Sequence, residues 1–197
     1  MVLINSAIIV YLYSLWLSAV RYSGEFYSKR SLAKPLATIC ASYKMDRINN
    51  RNVKFVEFDT TTNWAVNLPT DNWLAIILTK SKNKNYFNEV IRKSIDRNVG
   101  FICSIGKHQD LVHEMADEEI VFRNVDIEPL FLPEHRIITT GHDDLEEGVW
   151  FGIFSAFNEE CKIEEVVIIN ATNHEINDQL IIELITQFQS GYIPAND

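Results

Sequence analysis

The stretch Trp73–Gly106, WLAIILTKSKNKNYFNEVIRKSIDRNVGFICSIG, decides the fold. It opens on WLAIILT (Trp73–Thr79), a continuous apolar run of the kind a strand buried on both faces requires. Phe87, Val90, Ile91 and Ile95 then recur at helical spacing within Asn85–Arg97. VGFICSI (Val99–Ile105) is a second apolar run, closed by Gly106. The same alternation continues downstream. A helix is predicted over His108–Phe122, with Leu111, Met115 and either Glu118 or Glu119 on one face. RIITT (Arg136–Thr140) is the third strand, ended by Gly141. Asp144 precedes Glu147 by three residues, a capping box that starts a helix over Leu145–Phe157. EVVIINAT (Glu165–Thr172) is the fourth strand, and Asp178–Gln189 the last helix, closed by Gly191. Strands alternating with helices across short loops imply an α/β fold over residues 71–197. Its mostly parallel sheet would carry helices on both faces, as in a Rossmann-like or flavodoxin-like three-layer sandwich. Upstream, VKFVEFD (Val53–Asp59) alternates in polarity and is expected to add an edge strand.

Composition narrows the function classes. The chain has 197 residues, 47% hydrophobic and 23% charged, which fits one globular domain with an appendage, or two very small domains. Its net charge of -9 is unevenly spread. Residues 21–54 hold eight basic side chains against two acidic ones, so residues 55–197 carry -15. A domain that acidic lacks the clustered Lys and Arg that displace counterions, which argues against nucleic-acid binding and favours a basic protein partner. Three cysteines without CxxC spacing (Cys40, Cys103, Cys161) argue against a disulfide framework and for a reducing compartment.

Val2–Val20 is a run of nineteen residues, fifteen of them apolar or aromatic and none charged. As a helix it would span about 28 Å, near the thickness of a bilayer core. Basic residues follow from Arg21, which under the positive-inside rule leaves the domain in the cytoplasm, anchored to the inner membrane by residues 2–20. The Lys and Arg of the segment up to residue 54 suit an anionic membrane surface. The alternatives are a helix packed in the core or at an interface, a secretory signal, or upstream sequence translated from a start codon the cell does not use. Residues 21–70 read as a basic connecting segment, with a short helix after Pro35.

In an open parallel sheet, ligands bind beyond the carboxyl ends of the strands, near a reversal of strand order. The residues there include Lys107 and His108 after the second strand, His142 and Asp143 after the third, and His174 after the fourth. His142, Asp143 and His108 are the candidate catalytic groups, and Lys107, His108, His142, Asp143 and His174 the candidate ligand contacts. Strand-end loops also gather polar residues for solvation alone. His113 and Asp117 stand four residues apart on one helical face. With His108 or His142 they could ligate zinc or iron; a hydrogen bond that orients the imidazole is the simpler reading. No G-x-G-x-x-G, Walker loop or G-x-S-x-G elbow is present to indicate a cofactor or nucleophile.

Phe101–Glu118 and Ile137–Phe157 together carry Cys103-x-x-Gly106, His113-Glu-x-x-Asp117-Glu118, Thr139-Thr140-x-His142 and Leu145-Glu146-Glu147. This pattern resembles an uncharacterised bacterial family of unknown function over about residues 70–172. The resemblance implies that His113, Asp117 and His142 belong to a shared pattern, and it brings no chemistry with it. This chain departs from the pattern at Ile105 and Lys107, where an aromatic and an acidic or small polar residue are expected.

Two classes of function remain. The first is a non-catalytic interaction module, of immunity or regulatory type, that masks a basic partner. The second is a small-ligand or metal-dependent enzyme with its site at the strand ends.

Overall fold

The computed structural model describes residues 43–125, 131–172 and 175–195, and of residues 43–46 and 57 the backbone alone. Its strands are β1 (Tyr43–Ile48), β2 (Arg51–Glu57), β3 (Trp73–Thr79), β4 (Phe101–Gly106), β5 (Ile138–His142) and β6 (Glu165–Asn170). They form one sheet in the order β1-β2-β6-β3-β4-β5. β1 and β2 pair antiparallel, and every other neighbouring pair is parallel. Four helices accompany them: α1 (Lys84–Asp96), α2 (Gln109–Val125), α3 (Leu145–Phe154) and α4 (Asp178–Gln189).

Side chains alternate across a strand, so β3, the fully buried run, serves two cores at once. Leu74, Ile76 and Leu78 join Val149 and Ile153 of α3 and Ile181, Ile185 and Phe188 of α4. Trp73, Ala75 and Ile77 join Phe87, Val90 and Ile91 of α1 and Val112 and Ala116 of α2. The predicted α/β architecture is therefore present, with helices against both faces. The chain steps from β3 to β4 to β5 in one direction, then returns to insert β6 between β3 and β2.

Several expectations are corrected. VKFVEFD is not an edge strand: β2 lies inside the sheet, between β1 and β6, and β1 is the edge. β1 (YKMDRI) has three charged residues and no clean alternation, the composition of an edge and a weak sequence signal. The turn into β2 is Asn49-Asn50, both left-handed (φ 49° and 61°), as a tight two-residue hairpin demands. The sheet thus takes in residues that the sequence reading leaves in the connecting segment. β5 begins two residues later than expected, so Gly141 and His142 lie within the strand. The buried stripe of α2 is Gln109, Val112, Ala116 and Arg123, while Leu111 and Met115 flank it partly buried. α3 stops at Phe154 because donors from the hairpin take its last carbonyls. Asn49 Nδ2 reaches Ile153 O (3.2 Å) and Phe154 O (3.3 Å). Arg51 reaches Gly152 O (2.9 Å) and Ala156 O. The hydrophobic helix expected at residues 1–20, the basic stretch after it and the helix after Pro35 lie outside the described residues. Among those described, no helix is long and apolar enough to cross a membrane.

Cys103 sits on β4 with no solvent exposure. Burial pushes its thiol up to about 12, against a smaller opposing effect of the Thr140 hydroxyl. A folded-state value above the ordinary 9.0 contributes stability that is complete below pH 9.0. That contribution declines between pH 9.0 and about 12, where the unfolded chain ionises first. The decline is about 1.4 kcal/mol per pH unit. Urea melts at about pH 8 and about pH 10.5 should therefore show a larger alkaline loss for the wild type than for Cys103→Ala. Equal losses would refute the burial argument.

Candidate functional site

The carboxyl ends of β3, β4 and β6 are tied together by their own polar groups. Thr79 Oγ1 donates to Ile105 O (2.9 Å) and accepts from the backbone N–H of His108 (3.1 Å). Gly106 has φ 101°, and a Cβ there would lie 2.3 Å from Thr79 O, so only glycine lets β4 turn this close to β3. Asn170 donates to Ile176 O (2.9 Å) and Asp178 Oδ1 (2.6 Å), and its oxygen accepts from Thr172 Oγ1 (2.5 Å). This turn ends β6 at Asn170 rather than at Thr172. Lys80 Nζ bridges the reversal between β3 and β6 by donating to Glu175 O (3.0 Å).

The structure disperses the predicted site residues. Lys107 is exposed and His108 half-buried. Asp143 Oδ1 lies 3.5 Å from Gln109 Nε2, a weak tie between the β5 end and α2. His174 lies outside the described residues. Asp144 caps α3 as expected, accepting from Glu147 N at 2.8 Å. His113 Nε2 stands 3.8 Å from Asp117 Oδ2, too long for the orienting hydrogen bond. Asp117 instead accepts from Thr139 Oγ1 of β5 (2.7 Å). His142 points to the other side of the same strand, its ring 4.6 Å from that of Phe151 on α3. His113 with Asp117 and His142 therefore lie on opposite faces of the sheet, where they cannot share one metal ion. Among the described residues, no group of three or more His, Cys, Asp or Glu is placed to hold a metal. His142 Nε2 and His113 Nδ1 are buried without a hydrogen-bond partner.

Concavities form elsewhere among the described residues, and two of them have apolar side chains in their lining. The larger, about 610 Å³, lies between α2 and the strap Phe131–Ile137 that leads into β5. Ile120, Val121, Leu132, Pro133 and Ile137 supply its apolar lining; Asp117, Glu134 and Glu160 set three carboxylates against Arg136. Val121 (60% exposed) is on its wall, and the same end of α2 also exposes Phe122 and Val125. Arg123 holds the frame. It is 2% exposed, and its Nε donates to Glu119 Oε1 (2.8 Å). Its Nη1 donates to Asp96 Oδ1 of α1 (2.8 Å) and to Phe131 O of the strap (2.9 Å). Burial works against the charge of Arg123, but Glu119 and Asp96 outweigh it and leave the guanidinium above its ordinary value. The strap is pinned at its far end, where Asn158 Nδ2 donates to Gly100 O (2.8 Å) and Arg136 O (2.7 Å).

The smaller concavity, about 210 Å³, lies on the other helical layer and is lined by Glu147, Trp150, Phe151, Ile193 and Pro194. The C-terminal tail that closes it is placed by Tyr192. That ring stacks on Phe188 (6.0 Å, 6°), and its hydroxyl donates to Glu146 Oε2 (2.7 Å). The bond to Glu146 raises the pKa of the Tyr192 hydroxyl. Trp150 stacks on Phe154 (5.3 Å, 23°). Glu147 Oε1 stands 3.9 Å from His142 Nδ1.

Fold and surface together define an α/β protein with a mostly parallel six-stranded sheet, in which polar groups tie the ends of β3, β4 and β6. Its main concavities lie on the helical layers. The chain belongs to the family described as a domain of unknown function, DUF7684, whose model matches residues 53–188. That match agrees with the expected membership of an uncharacterised family, and it spans every motif that suggested one. No curated protein and no solved structure gives a significant match. Sequence reasoning missed both concavities. EEIVFRNV in α2 did carry a signal, because Val121, Phe122 and Val125 fall outside the buried stripe.

Proposed function

We propose that this domain is a non-catalytic interaction module that masks a basic, partly apolar segment of a partner protein, in the manner of an immunity or regulatory protein. The observation that carries this reading is the groove between α2 and the strap. Its aliphatic floor is rimmed by Asp117, Glu134 and Glu160 on a domain that is acidic as a whole. Exposed apolar side chains grouped at one place mark interaction surfaces, and a carboxylate rim selects Lys and Arg while speeding encounter. A segment laid along α2 would cover Val121 with an aliphatic side chain and present cations to the rim. The reversal of strand order between β3 and β6 supports a Rossmann-like description of the scaffold. An anchor at residues 2–20 would hold the module at the inner membrane face; fractionation of cells with and without residues 1–20 tests that part.

The test of the main reading is calorimetric titration of the full chain with proteins encoded beside it. The expected partner binds in the micromolar range, about 1 μM, and more weakly as salt rises. Val121→Asp should cost at least about tenfold in affinity, since the bound segment would cover a carboxylate on the groove wall. A partner that binds Val121→Asp as tightly as wild type, or salt-independently, would sink the reading.

The enzyme or small-ligand alternative draws on one observation, the buried and unpartnered Nε2 of His142. Metal analysis of purified protein and thermal-shift screening with nucleotides distinguish it.

A further inference from the structure

We propose that the cleft between α3 and the C-terminal tail binds an organic ammonium group, quaternary or alkylated, with Trp150 and Phe151 as its walls and Glu147 as its counter-charge. The cleft lies on the opposite helical layer from the α2 groove, so this inference stands apart from the proposed function.

Size sets the first limit. At about 210 Å³ the cleft is below the range of cofactor pockets and has room for one headgroup. Charge sets the second. Glu147 lines the cleft, and Glu146, Asp144 and Asp143 stand beside it in the chain, so an anion is repelled. Glu146 is already engaged by Tyr192. The Glu147 carboxylate stands 3.9 Å from His142 Nδ1, beyond hydrogen-bond distance, and its side chain is largely exposed, so it can face a bound cation. The lining sets the third. Four of the five residues, Trp150, Phe151, Ile193 and Pro194, offer carbon surface. A strongly hydrated metal ion would have to exchange water for those walls, whereas an alkylated ammonium ion is weakly hydrated and is attracted by aromatic rings. The arrangement is also held in place before binding. Trp150 is braced by Phe154, and the tail by Tyr192 stacked on Phe188. Little ordering is left to oppose a small ligand.

The test uses the full chain and two probes of matched shape, choline and its neutral carbon isostere 3,3-dimethylbutan-1-ol. Binding is followed by calorimetry and tryptophan fluorescence. Trp64 and Trp73 are buried, which leaves Trp150 as the reporter among the described tryptophans. Choline is expected to bind with a Kd on the order of 1 mM, and the isostere about tenfold more weakly. Glu147→Gln, at a side chain 65% exposed, should reduce that preference while leaving the isostere unchanged. A trimethyllysine peptide titrated in parallel identifies the source of the headgroup: tighter binding than choline assigns it to a protein side chain, weaker binding to a free small molecule. Equal affinity of choline and isostere, an unaltered preference in Glu147→Gln, or no binding of choline up to about 100 mM overturns the proposal.

Discussion

Gly106→Ala is expected to destabilise the domain by about 3 kcal/mol, lowering the melting temperature by about 10 °C. Two effects add. At φ 101° a side chain strains the backbone, and the new Cβ would lie 2.3 Å from the carbonyl oxygen of Thr79. That oxygen belongs to the β3 backbone in the middle of the sheet, so it cannot move aside as a flexible side chain would. Gly191 provides the control. It too has positive φ (94°), but a Cβ there meets nothing within 4 Å. Gly191→Ala should therefore cost only the strain, about 1 kcal/mol. Urea denaturation of the two variants separates clash from strain. Similar losses in both would show that β4 can draw away from β3 at no cost.

Arg123→Leu is expected to be at least as damaging, about 3 kcal/mol. Its guanidinium is almost wholly buried, and its removal leaves Glu119 (side chain 14% exposed) with a weaker contact to Arg92 at 3.3 Å. Asp96 is about half exposed and regains water, which keeps the loss from rising further. Phe131 O also loses its donor, so the strap is released from α2 and the groove loses a wall. Arg123→Lys should recover only part of the stability. One ammonium cannot reproduce the fork that reaches Glu119, Asp96 and Phe131 together. Chemical denaturation, with partner titration where the variant folds, measures both effects. Full stability in Arg123→Lys would disprove the role given to the fork.

The fold was legible where one physical demand dominated the sequence. WLAIILT reads as a strand because burial on both faces leaves no room for polar residues, and β3 has the bounds the sequence suggests. α4 is marked just as plainly by its polar start and terminal glycine. β1 was illegible because an edge strand carries charge and needs no apolar stripe. Its clue was Asn49-Asn50, a pair of residues that tolerates the left-handed geometry of a two-residue hairpin. The site was less legible. Reading polar residues at strand ends as a shared pocket ignored that they could satisfy one another, as Thr79 with His108 and Asn170 with Thr172 do. A two-residue error at the start of β5 also left His142 in a loop when it is in the strand, facing α3. Both concavities lie on the helical layers, whereas the sequence reading looks beyond the carboxyl ends of the strands. Each depends on how a helix meets a strap or tail of irregular structure.

The hairpin bears on where this domain begins. Family similarity starts at Val53, whereas the donors that finish α3 stand at Asn49 and Arg51. A recombinant piece trimmed to the similarity border would keep the helix and discard its stopper. The frayed end would be the one just beyond Trp150 and Phe151. The folding unit thus reaches upstream of that border because of a debt incurred a hundred residues downstream, which no comparison of aligned letters records.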